Sequence, residues 1–278
     1  MKGVGWMSGR TVRFHPIWLL ALAIMIIMTG CASGSNEKQQ EAAGTPVELT
    51  VSAAASLTDA LEQLKSIYES KAGGDVKILY NFGASGALQT QIEEGAPVDL
   101  FLSAATKNMK ALVDGGYIEE GQQSNLLGND LVVVVPTDSK LDLAAVQDLQ
   151  GADVKRIAIG IPESVPAGSY AKEALEHAAL WDPLQGVMVQ AKDVRQVLSY
   201  VETGNADVGF VYRTDAKSST ASKVAFAVSP DSYTPIRYPV GIVKATGHPE
   251  EAAAFLEFLQ SKEALDVFVQ YGFSVPNP

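Results

Sequence analysis

Four junctions in this chain are assembled from the same parts: an apolar run, a few small residues, then the start of a helical pattern. At 51–61, Ser56 opens a pattern in which Leu57, Ala60, Leu61, Leu64 and Tyr68 share one face. At 80–88 the device recurs around Ser85, reached through Phe82, Gly83 and Ala84. At 161–170 the chain enters a helix through Pro166 and Ala167; Ala167 has little side chain, so its useful group is the backbone N–H. At 191–198, Asp193 is the expected N-cap with Gln196 at the capping-box position, which leaves the N–H of Val194 as a free first-turn donor. Hydroxyls beside unpaired N–H groups at the positive end of a helix suit an anion held without any cation. Ser56 also has a simpler reading. With Asp59 three residues on, it fits a capping box, and its hydroxyl would then serve only its own helix.

These junctions need strands and helices to position them. Apolar, β-branched runs predict strands near 48–52, 76–82, 99–103, 131–136, 156–161, 187–191, 208–212, 225–228 and 238–244. Helical patterns fall at 57–70, 86–94, 107–114, 169–179 and 194–203, and two more close the chain near 249–260 and 262–270. The alternation predicts an α/β fold with mainly parallel sheets flanked by helices. The runs at 131–135 and 240–243 lack polar alternation, as strands covered on both faces do, and read as strands crossing between two lobes. The expected organisation is a signal segment 1–30, a tether 31–46, the first part of lobe 1 at 47–130, lobe 2 at 131–236, and a return strand with C-terminal helices of lobe 1 at 237–278. A ligand would sit between the lobes, beyond the carboxyl ends of the strands.

The first 30 residues carry Lys2, Arg10 and Arg13 ahead of the apolar run 17–28, too short for a bilayer span but suited to an export signal. The run ends at Met28-Thr29-Gly30-Cys31, which resembles a lipobox, and Cys31 is the single cysteine. The expectation is a chain lipidated on Cys31 and anchored to the outer face of the cell membrane, with a small, polar tether behind it. The chain has 21 Lys+Arg against 32 Asp+Glu, a net charge of −11; losing Lys2, Arg10 and Arg13 leaves 18 against 32. So acidic a protein is a poor nucleic-acid partner and has no broad positive field for collecting anions. Any anion must be held by local dipoles.

Read in order, seven stretches resemble the molybdate-binding proteins of bacterial ABC importers: 53–57 (Ala-Ala-Ala-Ser-Leu), 82–85 (Phe-Gly-Ala-Ser), 96–101, 127–132, 165–168 (Val-Pro-Ala-Gly), 193–195 (Asp-Val-Arg) and 209–212 (Gly-Phe-Val-Tyr). The resemblance covers about 47–274. It implies a two-lobe periplasmic-binding-protein-like fold, each lobe a mainly parallel sheet flanked by helices and the two joined by two crossing strands. It also implies capture of a tetrahedral oxyanion (molybdate or tungstate), an ABC permease as partner, a monomer, and no cofactor. Carried over position by position, the ligand set is the hydroxyl and N–H of Ser56 and of Ser85, the N–H of Ala167, the N–H of Val194, and the hydroxyl of Tyr212. Outside that set, Tyr212 would read as a core tyrosine at a strand end, and Arg195 as a solvated first-turn residue or a contact between lobes. The set consists of donors. Molybdate, tungstate and sulfate are unprotonated dianions near neutral pH, whereas hydrogen phosphate brings a proton that needs an acceptor.

Three other readings compete. Residues 83–87 nearly match the G-x-S-x-G turn of serine hydrolases, but the last position is Ala, and the histidines beyond residue 30 are His177 and His248, both in polar surroundings. Ferric-ion binding would need paired tyrosines with His or carboxylates, and Asp207 and Asp215 beside Tyr212 do not make such a cluster. Another oxyanion, such as sulfate or thiosulfate, would use the same donors in a cavity of different size.

Overall fold

The computed structural model describes residues 45–151 and 153–276. The expected signal segment 1–30, the lipidation site Cys31 and most of the tether 31–46 lie outside the described residues. Within them the strands form two five-stranded sheets. The first sheet has the order β2-β1-β3-β10-β4 and contains β1 (Val47–Ala54), β2 (Val76–Gly83), β3 (Leu100–Leu102), β4 (Ile118–Gly128) and β10 (Arg237–Val243). The second has the order β7-β6-β8-β5-β9, from β5 (Leu131–Pro136), β6 (Ile157–Gly160), β7 (Met188–Ala191), β8 (Val208–Tyr212) and β9 (Ser222–Ala227).

Both lobes follow one plan. In the first, β1 pairs parallel with β2 and β3, β10 runs against β3, and β4 runs against β10 and so with the others. In the second, β6 pairs parallel with β7 and β8, while β5 runs against both β8 and β9. Each sheet therefore has a single reversed strand, and each reversed strand is the first one after the chain changes lobe. The two crossings are short: β4 ends at Gly128 and β5 begins at Leu131, and 228–236 connect β9 to β10. The runs that read as crossing strands thus lie in one sheet each, next to the crossings.

The helices are α1 (Thr58–Lys71), α2 (Ser85–Glu93), α3 (Thr106–Asp114), α4 (Pro166–His177), α5 (Trp181–Leu184), α6 (Val194–Glu202), α7 (Arg213–Ser218), α8 (Pro249–Gln260) and α9 (Lys262–Tyr271). Leu61, Leu64 and Tyr68 of α1 are buried, and Tyr68 meets Phe255 of α8 edge-on with ring centroids 4.8 Å apart. The C-terminal helices thereby close the first lobe. In the second lobe Leu131, Val132, Val133 and Val134 have no exposed surface, so each contributes roughly 1.5–3 kcal/mol of apolar burial. The sequence pattern does not predict strand β4. Its sequence, Ile-Glu-Glu-Gly-Gln-Gln-Ser-Asn-Leu-Leu-Gly, is mostly polar because it is a sheet edge whose residues 119–125 are exposed or half-buried, so the period-2 signal is weak.

Candidate functional site

Four helix starts meet at one small cavity between the lobes. Its wall is Ala54, Ala55, Ser56, Gly83, Ala84, Ser85 and Ala104 from the first lobe and Val165, Pro166, Ala167, Val194 and Tyr212 from the second. The cavity is small, and both lobes contribute to its wall. The structure thus brings Ser56, Ser85, Ala167, Val194 and Tyr212 together. None of the twelve lining residues is charged, and none is a histidine.

Local sequence explains each placement. Ser85 is the first residue of α2, after extended Ala84, and is fully buried; its Oγ accepts the backbone N–H of Ala104 at 2.9 Å. Pro166 occupies the first turn of α4, where a missing N–H is harmless, and Ala167 follows it. Gly168 then lets the helix press on β6, since a Cβ there would stand 2.0 Å from the carbonyl oxygen of Gly160. Asp193 caps α6 as expected, its Oδ1 accepting the Gln196 N–H at 2.8 Å, and Val194 is the first helical residue. The N–H groups of Ala167 and Val194 lie in first turns, where the helix itself supplies no acceptor.

Ser56 requires a correction. It does not cap a helix. It lies inside the 3₁₀ turn Ala55–Leu57 that leads into α1, where the N-cap position is Leu57 and no side chain caps. The hydroxyl is instead 2.9 Å from the Tyr238 hydroxyl. Asp59, expected as its capping-box partner, faces the other lobe: Arg195 Nη2 is 2.6 Å from Asp59 Oδ2. Of its two readings, Arg195 is the contact between lobes. Its Nε also stands 2.9 Å from Asp215 Oδ1, close enough for an ion pair though poorly aligned for a hydrogen bond. Asp215 has no exposed surface. Burial raises its carboxyl to about 6, with Arg195 and the Tyr212 N–H pulling the other way.

Tyr212 ends β8 and is 1 % exposed. Burial pushes its phenol well above the ordinary value, so it remains a donor. Its hydroxyl lies beside that of Tyr238 but is not aligned for a hydrogen bond with it, and no other group among the described residues completes it, an arrangement that costs free energy unless a ligand does so. The lobes also touch directly at the rim. The Gly86 N–H donates to the Ser164 carbonyl at 2.9 Å, Lys107 Nζ to Ser169 Oγ at 3.0 Å, and the Tyr170 hydroxyl to the Ala104 carbonyl at 3.3 Å.

A family profile described as bacterial extracellular solute-binding protein matches residues 49–274. The chain belongs to that family. This solute-binding protein is 46% identical over 260 residues to YvgL of Bacillus subtilis, provisionally named an ABC transporter substrate-binding lipoprotein; the match covers 94% of this chain and 98% of that one. It is 40% identical over 231 residues to the molybdate-binding protein ModA of Haemophilus influenzae, covering 82% and 90% of the two chains. Among solved structures, the periplasmic molybdate-binding protein of Azotobacter vinelandii superposes with a TM-score of 0.75 at 27% identity, over 82% of this chain and all of that one. The two-lobe architecture is thus that of the periplasmic binding proteins.

No motif marks Tyr238, which meets the Ser56 hydroxyl, or Asn129, which meets Tyr238. Their partners, Ser56 and Thr214, are far away in sequence, so no local spacing marks them.

Proposed function

We propose that this solute-binding protein captures molybdate or tungstate between its lobes and delivers it to an ABC permease. The observation that carries the reading is the cavity wall: donors from four helix starts and a buried phenol, with no carboxylate, imidazole or ammonium among the lining residues. In this reading the ligands are Ser56, Ser85, Ala167, Val194 and Tyr212. Neutral donors in a dry cleft hold a dianion through aligned dipoles and charge-assisted hydrogen bonds. They offer nothing to the proton of hydrogen phosphate. The relatives named for molybdate support the choice of ion. Catalysis has no part in this reading. The domains follow the sheets: 47–130 and 237–278 form one lobe and 131–236 the other.

Thermal melting with each anion tests it. At 100 times its dissociation constant a ligand adds about 2.7 kcal/mol, which for this size raises Tm by about 5–10 °C. Molybdate and tungstate should both do so, and phosphate at equal concentration should leave Tm where it was. A larger shift with phosphate or ferric ion sinks the reading.

We further propose that Cys31 is the mature N-terminus and carries lipid, on the strength of the run 28–31 and the absence of any other cysteine. Intact mass of detergent-extracted protein decides it. A species that keeps residues ahead of Cys31, or a free thiol there, overturns the assignment.

A further inference from the structure

We propose that Tyr238, held by Asn129, is a positioning residue that sets the direction of the Ser56 hydroxyl and so makes the site selective for unprotonated oxyanions. The proposal rests on the reading of the cavity as an oxyanion site. Its substance is the direction of a hydrogen-bond chain.

That chain begins where the protein crosses between lobes. The backbone N–H of Asp130, which can only donate, bonds Asn129 Oδ1 at 2.9 Å. The amide is thereby oriented, and its Nδ2 must donate. It does so to Thr214 Oγ1 at 2.9 Å and to the Tyr238 hydroxyl at 3.2 Å. The Tyr238 oxygen is thus already an acceptor, and burial pushes its phenol well up, so it keeps its proton. The one other hydrogen-bond partner of that hydroxyl among the described residues is Ser56 Oγ, at 2.9 Å. Tyr238 therefore donates to Ser56. Were the bond reversed, the Tyr238 proton would have beside it only the Tyr212 hydroxyl, which is not aligned to form a hydrogen bond, and would stay buried and unsatisfied at the cost of its desolvation.

The sign of the Ser56 group follows. With a proton arriving from Tyr238, its own proton is left for the cavity, whose wall it helps to form. The reversed chain would spend that proton on Tyr238 and turn oxygen lone pairs toward the anion. Ser85 is treated alike, because the Ala104 N–H fills part of its acceptor capacity and leaves its proton free. A chain polarised in one direction also strengthens its last donor. Since Asn129 reaches Thr214 in the second lobe and Tyr238 in the first, the polarity is anchored at the crossing, away from the ligand.

The test uses wild type, Tyr238→Phe and Asn129→Ala. Molybdate is titrated directly and phosphate by competition with molybdate, at pH 8. There phosphate is mainly the hydrogen phosphate dianion, equal to molybdate in charge but carrying a proton. In Tyr238→Phe the Ser56 hydroxyl is free to turn its lone pairs inward. Molybdate should weaken about tenfold while hydrogen phosphate does not, so the ratio of their affinities falls at least about tenfold. Asn129→Ala should move the ratio the same way by a smaller factor. A merely structural role weakens both anions by one common factor, and an unchanged ratio overturns the proposal. Melting temperatures are taken first. Should Tyr238→Phe fail to fold, the Asn129→Ala ratio decides alone on the same terms. A wild-type chain indifferent to molybdate removes the proposed function, and this inference with it. A wild type that binds molybdate beside variants of unchanged ratio removes the inference alone.

Discussion

The Tyr212 hydroxyl is buried, protonated and without a protein partner among the described residues. The phenol stands edge-on to the Tyr238 ring at a centroid distance of 5.8 Å, so its apolar body is packed while its polar tip is left over. A buried hydroxyl without a partner costs about 1–3 kcal/mol, whereas a hydrogen bond to a charged group contributes about 1.5–3 kcal/mol. Stability and binding therefore make opposite demands on one atom. In Tyr212→Phe the ligand-free protein should become more stable, by about 1 kcal/mol, because the orphaned group is removed from a packed site. Its affinity for molybdate should fall by about ten- to hundredfold. Melting without anion, set beside a molybdate titration, reads both signs. A variant that binds as wild type does would make Tyr212 a core tyrosine and leave the proposed ligand set with four members.

Helix starts are the elements that assemble the cavity, and their contact at the rim decides whether it closes. Gly86, second residue of α2, donates its N–H to the Ser164 carbonyl in the loop leading to α4. A Cβ on Gly86 would stand 2.7 Å from that oxygen and 2.8 Å from the Ser164 Cα. Both are backbone atoms, so no side chain can turn aside, and the lobes must part. Gly86→Ala should keep both lobes folded, since the conflict exists only across the cleft, and should bind molybdate at least about tenfold more weakly because the closed state is penalised. Small-angle scattering at saturating molybdate should show a larger radius of gyration than wild type. Equal radius and equal affinity would mean that this contact does not govern closure. The elements also show what a sequence can reveal. Strands such as Leu131–Pro136 and helices such as Val194–Glu202 were legible because they are buried on both faces or capped by a neighbour three residues away, and those signals are local. Strand β4 was not, because an edge exposed to water needs no apolar period. At the cavity, the sequence shows Ser56 as a polar residue at a strand–helix junction but points to the wrong partner: Ser56 and Asp59 do have the spacing of a capping box, yet each finds a partner in a distant segment, Tyr238 and Arg195. Sequence spacing describes one element at a time, and what holds Ser56 and Asp59 is a meeting of several.

At the scale of the molecule the net charge and the proposed ligand have the same sign. The chain carries −11, and losing its first 30 residues would bring that to −14. One cation at the two-lobe junction is also spent: Arg195 faces both Asp59 and Asp215, so that cluster is negative overall as long as Asp215, whose carboxyl lies at about 6, has lost its proton. Donors on the cavity wall act over a few ångströms, whereas net charge acts over a Debye length, roughly 10 Å at 0.1 M salt and about 30 Å at 0.01 M. A dianion approaching at low salt therefore meets repulsion first and the donors only at the end of its path. Many anion-binding proteins use positive steering, for which added salt slows association. Here the order should be reversed. Stopped-flow mixing with molybdate at pH 8, well above the Asp215 value, should show an association rate that rises about two- to fivefold between 10 and 150 mM inert salt, as screening removes the repulsion. Dissociation should change little, because the bound ion is held by neutral donors within a dry cleft. The salt must be chloride rather than sulfate, which would compete for the same donors. An association rate that falls steeply with salt would reveal a positive path into the cleft that neither the charge count nor the lining residues contain, and capture by local dipoles alone would have to be abandoned.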